Sequence, residues 1–338
     1  MRVLLTGSTG MVGAHTAAAL HRAGHELRLL VRDPGRIARA LDPLGVPAPE
    51  HVTGDVTDAA AVERALDGCD AVVHAAALLS FDHRRDAEMQ RTNVEGARLV
   101  LGTAARLGLD PIVYVSSLAA LFPPAGDVLT ADESVKRPRD LYTRSKSSAE
   151  RLARDLQAEG APVVISYPGW VIGPDDPTVN DGVRLIFECL MAGAYPALSG
   201  GVPTVDVRDL AAAHAAAMKP GLGPRRYVLG GHFLTFPELI DAYMRVTGRR
   251  VWKVPTPGWL MRGLGRLGDA LRRLGVDVGA LTYESMLIAT RGVPCDSSPA
   301  TRELGIEFRP PDDTLRDVLL WMHRRGLARR LHLGTLLD

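Results

Sequence analysis

The chain opens Arg2-Val3-Leu4-Leu5-Thr6-Gly7-Ser8-Thr9-Gly10-Met11-Val12-Gly13, and this stretch decides how the rest is read. Val3, Leu4 and Leu5 form a short apolar run suited to a strand buried on both faces. Gly7, Gly10 and Gly13 follow at three-residue spacing, and the Ala-rich stretch Ala14 to Ala23 predicts a helix. Strand, glycine turn and helix start together make a pyrophosphate cradle. Glycines let the backbone approach the ligand, and the helix N-terminus offers unpaired N–H groups to the anion. The spacing departs from the common G-x-G-x-x-G, so a structural turn in another α/β protein stands as the alternative.

The 338 residues are enough for one large domain or two smaller ones, and a hydrophobic fraction of 46% supports a sizeable core. A formal net charge of only +1 argues against a nucleic-acid partner, which would need a basic surplus or stripe. Cys69, Cys189 and Cys295 are odd in number and far apart, so no disulfide frame or metal-ligand spacing is expected. That usage predicts a reducing, cytoplasmic setting and no metal. The N-terminus enters a strand at once, leaving no room for a signal peptide, and no apolar run of about 18 residues predicts a spanning helix.

Glu26 to Val31 reads as the second strand and ends in Arg32-Asp33-Pro34-Gly35-Arg36. A carboxylate here would bind the ribose 2′-hydroxyl of NAD, whereas an arginine suits the 2′-phosphate of NADP. Arg32 comes first, with Arg36 close by, which favours NADP(H) over NAD(H); Asp33 on the ribose is the alternative. A short third strand leads to Gly54-Asp55-Val56-Thr57-Asp58, where Asp55 is placed to meet the adenine amino group or to form a turn. Ala59 to Leu66 predicts a helix. Asp70 to His74 predicts a fourth strand, followed by the small residues Ala75, Ala76 and Ala77, past which a cofactor can run closely. His74 reads as a packed histidine. Asp86 to Leu107 has helical spacing, with Gly108 as its stop, and Ile112 to Val115 is a fifth strand ending in Ser116-Ser117. A long Pro-rich loop, Leu118 to Asp140, precedes a helix opening at Tyr142, and Val163 to Tyr167 is a sixth strand.

Strands alternating with helices predict an α/β, doubly wound parallel (Rossmann) sheet with a smaller, mostly helical C-terminal substrate-binding part. Residues 1–177 form the dinucleotide-binding domain, to which 201–230 return; 178–200 and 231–338 form the substrate-binding part. In the second half, helices are expected over Val183 to Met191, Arg208 to Met218, Pro237 to Val246, Gly258 to Leu274, Tyr283 to Ala289 and Thr314 to Arg325. Strands are expected at Thr204 to Val207 and Tyr227 to Leu229. Trp259 to Arg273 mixes apolar and basic residues, as a surface helix touching a membrane does; a helix packed on its own domain is the plainer reading.

Tyr142 and Lys146 lie four apart, so on a helix they share a face. A free tyrosine, with a pKa of about 10, exchanges protons poorly near neutrality. A nearby ammonium stabilises the phenolate and makes the group a usable general acid or base. Ser117, at the end of a neighbouring strand, is placed to hold a carbonyl oxygen, and a dinucleotide across the strand ends would bring its nicotinamide beside these groups.

These pieces resemble the extended short-chain dehydrogenase/reductase family, of NAD-dependent epimerase/dehydratase type. The matches are Thr6 to Gly13, Gly54 to Asp58, His74 to Ala77, Asn93-Val94-Glu95-Gly96, Ser116-Ser117, Tyr142 with Lys146, and Pro168 with Gly173-Pro174. Val205 to Leu210 and Asp296-Ser297-Ser298 look like later markers. The resemblance implies a catalytic Ser117, Tyr142 and Lys146. Ser117 orients the substrate oxygen, Tyr142 transfers the proton, and Lys146 lowers the Tyr142 pKa and binds the nicotinamide ribose. It implies cofactor contacts at Gly7, Thr9, Gly10, Met11, Val12, Arg32, Asp55, Val56, Ala75, Ala76, Ala77, Tyr142, Lys146, Pro168 and Val171, and a homodimer. Asn93 is structural or holds a water near the lysine.

Val31-Arg32-Asp33-Pro34 looks like the dihydroflavonol-reductase-like branch, which implies NADP(H) and reduction of a ketone or aldehyde, or oxidation of the matching alcohol. A nucleotide-sugar epimerase or dehydratase, or a hydroxysteroid-type dehydrogenase, is the competing reading. Sugar-nucleotide enzymes carry an Asn shortly after the sixth strand, absent from Tyr167 to Pro174, and Tyr167 stands where many have Arg. Non-enzymatic NADP(H)-sensing relatives lose the tyrosine that is kept here. Phe81, Phe122, Trp170, Phe187 and Met191 are expected at the mouth of the site, as a group favouring an apolar small-molecule substrate.

Overall fold

The apolar runs become parallel strands of one central sheet. The computed structural model describes residues 1–80, 83–136, 141–179, 181–274, 276, 278–279 and 281–337. In chain order the strands are β1 (Arg2–Thr6), β2 (Glu26–Val31), β3 (Glu50–Thr53), β4 (Ala71–His74), β5 (Ile112–Val115), β6 (Val163–Pro168), β7 (Trp170–Ile172), β8 (Ala194–Ala197), β9 (Gly201–Asp206), β10 (Arg225–Leu229), β11 (His232–Thr235) and β12 (Trp252–Pro255). The main sheet has seven of them, in the order β10-β6-β5-β4-β1-β2-β3.

Alternation within the strands divides the core in two. Val3, Leu5, Leu29, Val73 and Val113 pack on one face against α1 (Met11–Arg22), α2 (Ile37–Leu41) and residues of a later helix. Leu4, Leu30, Val72, Ile112 and Ile165 pack on the other against α3 (Ala59–Leu66) and, beyond α4 (Asp86–Gln90), against α5 (Gly96–Arg106) and α6 (Leu141–Ala158). Both faces of the sheet are therefore covered, as a parallel sheet requires. The chain fills one half of the sheet through β3 and then crosses back to lay β4 beside β1. That reversal opens a crevice at the carboxyl ends of β1 and β4, where doubly wound sheets bind ligands.

The later helices are α7 (Asp181–Ala192), α8 (Val207–Ala216), α9 (Phe236–Thr247), α10 (Gly258–Arg273), α11 (Tyr283–Arg291), α12 (Ser298–Leu304) and α13 (Pro311–Arg324). A third core gathers Phe187, Leu190 and Met191 from α7 with Leu239, Ile240 and Tyr243 from α9 and Leu315, Val318 and Leu319 from α13. α8 returns to α1 through buried His214, which bonds the Thr16 hydroxyl at 2.9 Å and the Ser166 hydroxyl at 3.0 Å.

Several local expectations need correction. The first helix begins at Met11, so Gly13 lies in its first turn. The helix expected over Asp86 to Leu107 is interrupted by a π turn, Arg91–Glu95. β9 starts at Gly201 and pairs with β7 and β11 in a small three-stranded sheet, while β12 pairs with β8. β7, β8, β11 and β12 have three or four residues each, two of them with a proline, and so short a run carries no periodic signal.

Candidate active site

The glycine turn closes onto the end of β4. Gly7 has φ +76, and a Cβ there would stand 2.7 Å from the Ala75 carbonyl carbon and the Ala76 nitrogen. A Cβ on Gly13 would stand 2.1 Å from the Gly7 carbonyl oxygen, so α1 can approach the turn only with glycine at that position. Gly10 is the N-cap of α1 and supplies no side-chain cap, and the first turn holds no acidic residue. The α1 N-terminus thus keeps donors and a positive dipole end turned toward the crevice. The Ser8 hydroxyl, in the same turn, is buried without a hydrogen-bond partner among the described residues. Uncapped amides, an orphaned hydroxyl and a cradle that a Cβ would fill fit the pyrophosphate of a dinucleotide. Thr9, Met11 and Val12 are half-buried at this turn.

Neighbouring strand ends carry the other expected cofactor positions. The Ala75 N–H donates to the Thr6 carbonyl at 3.3 Å and the Ala76 N–H to the Thr6 hydroxyl at 3.2 Å, which fixes the Ala75–Ala77 backbone beside Gly7. Asp55 forms a turn: its Oδ1 accepts from the Thr57 N–H and hydroxyl, both at 2.8 Å. Val56 is buried beneath Gly96, where a Cβ would stand 2.8 Å from its methyl. Arg32, 58% exposed at the end of β2, approaches Glu88 at 3.5 Å and Asp55 at 3.9 Å. The Asp33 Oδ1 is occupied by the Gly35 N–H at 3.0 Å. Pro168 is the last, buried residue of β6, and Val171 is half-buried in β7.

α6 brings Tyr142 and Lys146 to the end of β5. Lys146 is buried, and its ammonium donates to the Val115 carbonyl at 3.2 Å. Burial lowers its pKa from 10.5 to about 8, with Glu150 opposing the fall. Asn93, in the π turn, locks the segment: its carboxamide accepts from the Leu78 N–H at 2.7 Å and donates to the Leu78 carbonyl at 3.0 Å and the Ser145 hydroxyl at 2.9 Å. Ser145 in turn donates to the Tyr142 carbonyl at 2.7 Å. Asn93 is therefore a clamp between the loop after β4 and the first turn of α6.

The two serines part company. Ser116 is buried and donates to Glu150 at 2.7 Å, whereas half-buried Ser117 caps a short 3₁₀ turn by accepting from the Ala119 N–H at 3.2 Å. Glu150, one helical turn beyond Lys146, is wholly buried and also accepts from the Tyr167 hydroxyl at 2.5 Å and from Arg154 at 2.7 Å. Burial and then the Glu150 charge push the Tyr167 phenol up. His74, held to the Thr6 hydroxyl at 2.8 Å, is pushed down to about 3 by burial, so it stays neutral.

A cavity of about 210 Å³ opens beside Tyr142. Leu79, Ser80 and Met89 line it from the chain after β4, Ala119 from the chain after β5, and Leu141 and Thr143 from α6. Arg272 of α10 and Thr282, Ser285 and Ile288 from α11 and the residue before it cover it. Arg272 reaches Asp86 at 3.2 Å and so ties this cover to α4. The described residues expected as apolar lining are not among those that line this cavity. Phe187 is wholly buried in the third core, Met191 is buried beside it, Trp170 packs against the same cluster, and Phe122 packs on the second core. Phe187 cannot line a pocket because neighbours cover it on every side. Phe81 lies outside the described residues. Arg272, Thr282, Ser285 and Ile288 were not anticipated, because they are more than 100 residues from Tyr142 and no local pattern links them; Glu150 had a local signal, its helical spacing from Lys146.

Residues 3–230 match the model of the NAD dependent epimerase/dehydratase family. The chain belongs to that family. It is an NAD(P)-dependent oxidoreductase of the extended short-chain dehydrogenase/reductase type. Sterol demethylase protein B of Methylococcus capsulatus is 28% identical over 97% of this chain and 100% of its own length. A putative dihydroflavonol 4-reductase of Synechocystis is 30% identical over 96% of this chain and 95% of its own. The crystal structure of gox2253 superposes with a TM-score of 0.81 at 28% identity, covering 97% of this chain and 99% of that one.

Proposed function

We propose that the protein reduces a ketone or aldehyde, or oxidises the matching alcohol, on an apolar small or medium substrate, with NADP(H) as cofactor. The observation that carries this reading is the position of Tyr142. It lines the cavity at the strand ends, with buried Lys146 one helical turn along α6. Bound across the crevice, the dinucleotide supplies or accepts hydride. Tyr142 donates the proton to the substrate oxygen in the reducing direction. Lys146, charged below about pH 8, favours the phenolate that this transfer leaves behind. Ser117 orients the substrate oxygen, while Ser116 is committed to Glu150.

Leu79, Met89, Ala119, Leu141 and Ile288 make the wall largely apolar. The two relatives, a sterol demethylase protein and a putative dihydroflavonol 4-reductase, support the same substrate class. A nucleotide-sugar epimerase finds less support: no Asn stands between Tyr167 and Pro174, and Tyr167 is wholly buried on Glu150. For the cofactor, Arg32 is exposed at the β2 end while the Asp33 Oδ1 is engaged in its own turn, which favours a 2′-phosphate over a 2′-hydroxyl. A homodimer is the proposed working unit.

NADPH oxidation with a panel of aryl and polycyclic ketones tests the reading. Tyr142→Phe is expected to abolish turnover while NADPH still binds; undiminished turnover would dismiss Tyr142 as proton donor. Separate titrations are expected to show tighter binding of NADPH than NADH, and the reverse would overturn the role given to Arg32.

A further inference from the structure

α10 is packed inside out. Gly265 and Gly268 face the protein: a Cβ on Gly265 would stand 2.7 Å from the Thr282 carbonyl oxygen, and one on Gly268 would stand 1.9 Å from that of Leu281. Its large apolar residues face away. Trp259 is 71% exposed, Leu267 56% and Leu274, just past its end, 79%, with Leu260 and Leu264 exposed between them. Leu260, Leu264, Leu267 and Leu274 recur at spacings of three, four and seven, which is one helical stripe. Eight of the thirteen exposed large hydrophobics among the described residues fall between Trp252 and Val276, so the apolar surface is concentrated here.

The same stretch is strongly cationic. Residues 249–274 hold seven Arg and Lys against a single acid, Asp269, in a chain whose net charge is only +1. Arg250, Lys253 and Arg266 are exposed, Lys253 paired with Asp241 at 2.6 Å, while Arg272 is turned to Asp86. Two identical copies meeting on this face would set these cations against one another. An anionic bilayer surface is complementary to both properties. Acyl chains take the leucine stripe, lipid phosphates take the basic groups, and tryptophan suits the boundary between them.

We infer that the outer face of α10 attaches the protein reversibly to the surface of an anionic bilayer. The inner side of the same α10–α11 unit covers the cavity through Arg272, Thr282, Ser285 and Ile288. Attachment would therefore set the cover of the cavity against the membrane, which suits exchange of a lipophilic substrate; that consequence alone rests on the reading of Tyr142 as a catalytic residue.

Co-sedimentation with vesicles tests the attachment without any turnover. The wild-type chain is expected to bind vesicles of phosphatidylcholine with about one-third phosphatidylglycerol at least tenfold better than phosphatidylcholine alone, and to release at high salt. The double variant Leu264→Glu with Leu267→Glu is expected to lose at least tenfold in binding while its circular dichroism and NADPH binding stay unchanged. Absence of wild-type binding to anionic vesicles overturns the inference, as does equal binding by the variant. A wild-type dimer that the variant splits into monomers, seen by analytical ultracentrifugation, assigns the face to a second copy and overturns it as well. Failure of NADPH to bind the wild-type chain counts against the proposed function and leaves the vesicle result standing on its own.

Discussion

Replacing Lys146 with methionine should make the fold more stable at neutral pH and remove the activity. The unfolded chain holds the lysine proton to about pH 10.5, the folded chain only to about pH 8. Between those values the unfolded state binds more protons, so stability rises with pH there, and the full penalty of the buried ammonium is present below pH 8. At about 1.4 kcal/mol per pH unit, the penalty is about 3 kcal/mol. Methionine keeps the stem and removes the charge, but it also strips the Val115 carbonyl of a donor 3.2 Å away, at a cost of about 1–2 kcal/mol. Lys146→Met should therefore be about 1–2 kcal/mol more stable at about pH 7. The advantage should vanish near about pH 9.5, where the wild-type penalty has fallen to about 1 kcal/mol, about what the lost hydrogen bond costs. Urea unfolding midpoints without dinucleotide at both pH values measure the difference, and NADPH oxidation measures the loss of function. A variant less stable than wild type at neutral pH, or a difference indifferent to pH, would refute the electrostatic reasoning.

Gly13→Ala would drive a Cβ to 2.1 Å from the Gly7 oxygen, and we expect a loss of about 3 kcal/mol with loss of NADPH binding, read by calorimetry and fluorescence titration. Ser116→Ala should cost about 1–3 kcal/mol of stability by taking a donor from buried Glu150, with a milder effect on turnover. Ser117→Ala, which removes the cap of a short 3₁₀ turn, should cost about 1 kcal/mol of stability at most and lower kcat/KM about 10²-fold; equal behaviour of the two variants would contradict the division of labour. Burial holds His74 near about 3 and His214 near about 4, so both stay neutral in the fold while they charge in the unfolded chain below about pH 6.5. Stability should then fall with pH, by about 2 kcal/mol per histidine between about pH 6.5 and pH 5, and His74→Asn should remove its share of the slope in a urea titration.

Every strand of the main sheet was legible, those given bounds to within two residues and β3 only as a short strand before Gly54, because a strand buried on both faces reads as an unbroken apolar run. Val3 to Leu5 and Ile112 to Val115 are examples. The π turn at Asn93 was invisible, since a single extra residue leaves helical spacing intact on either side. Tyr142 and Lys146 could be paired from the sequence because one helical turn joins them, and Gly7 and Gly13 because their turn is local. Phe187, assigned to the pocket, was misplaced for the opposite reason. Hydrophobicity records that Phe187 must be buried, and says nothing about whether protein or ligand covers it.

What the sequence by itself determined is therefore whatever acts over one turn or one strand: the glycine cradle, the place of Arg32 at the β2 end, and the Tyr142–Lys146 spacing. Tertiary structure alone decided which distant residues share a wall with Tyr142, that Ser116 is spent on Glu150 while Ser117 caps a turn, and that α10 turns Gly265 and Gly268 inward and Leu260, Leu264 and Leu267 out. Those facts depend on how separate elements pack, and packing is settled by contacts across the whole chain that no local pattern encodes.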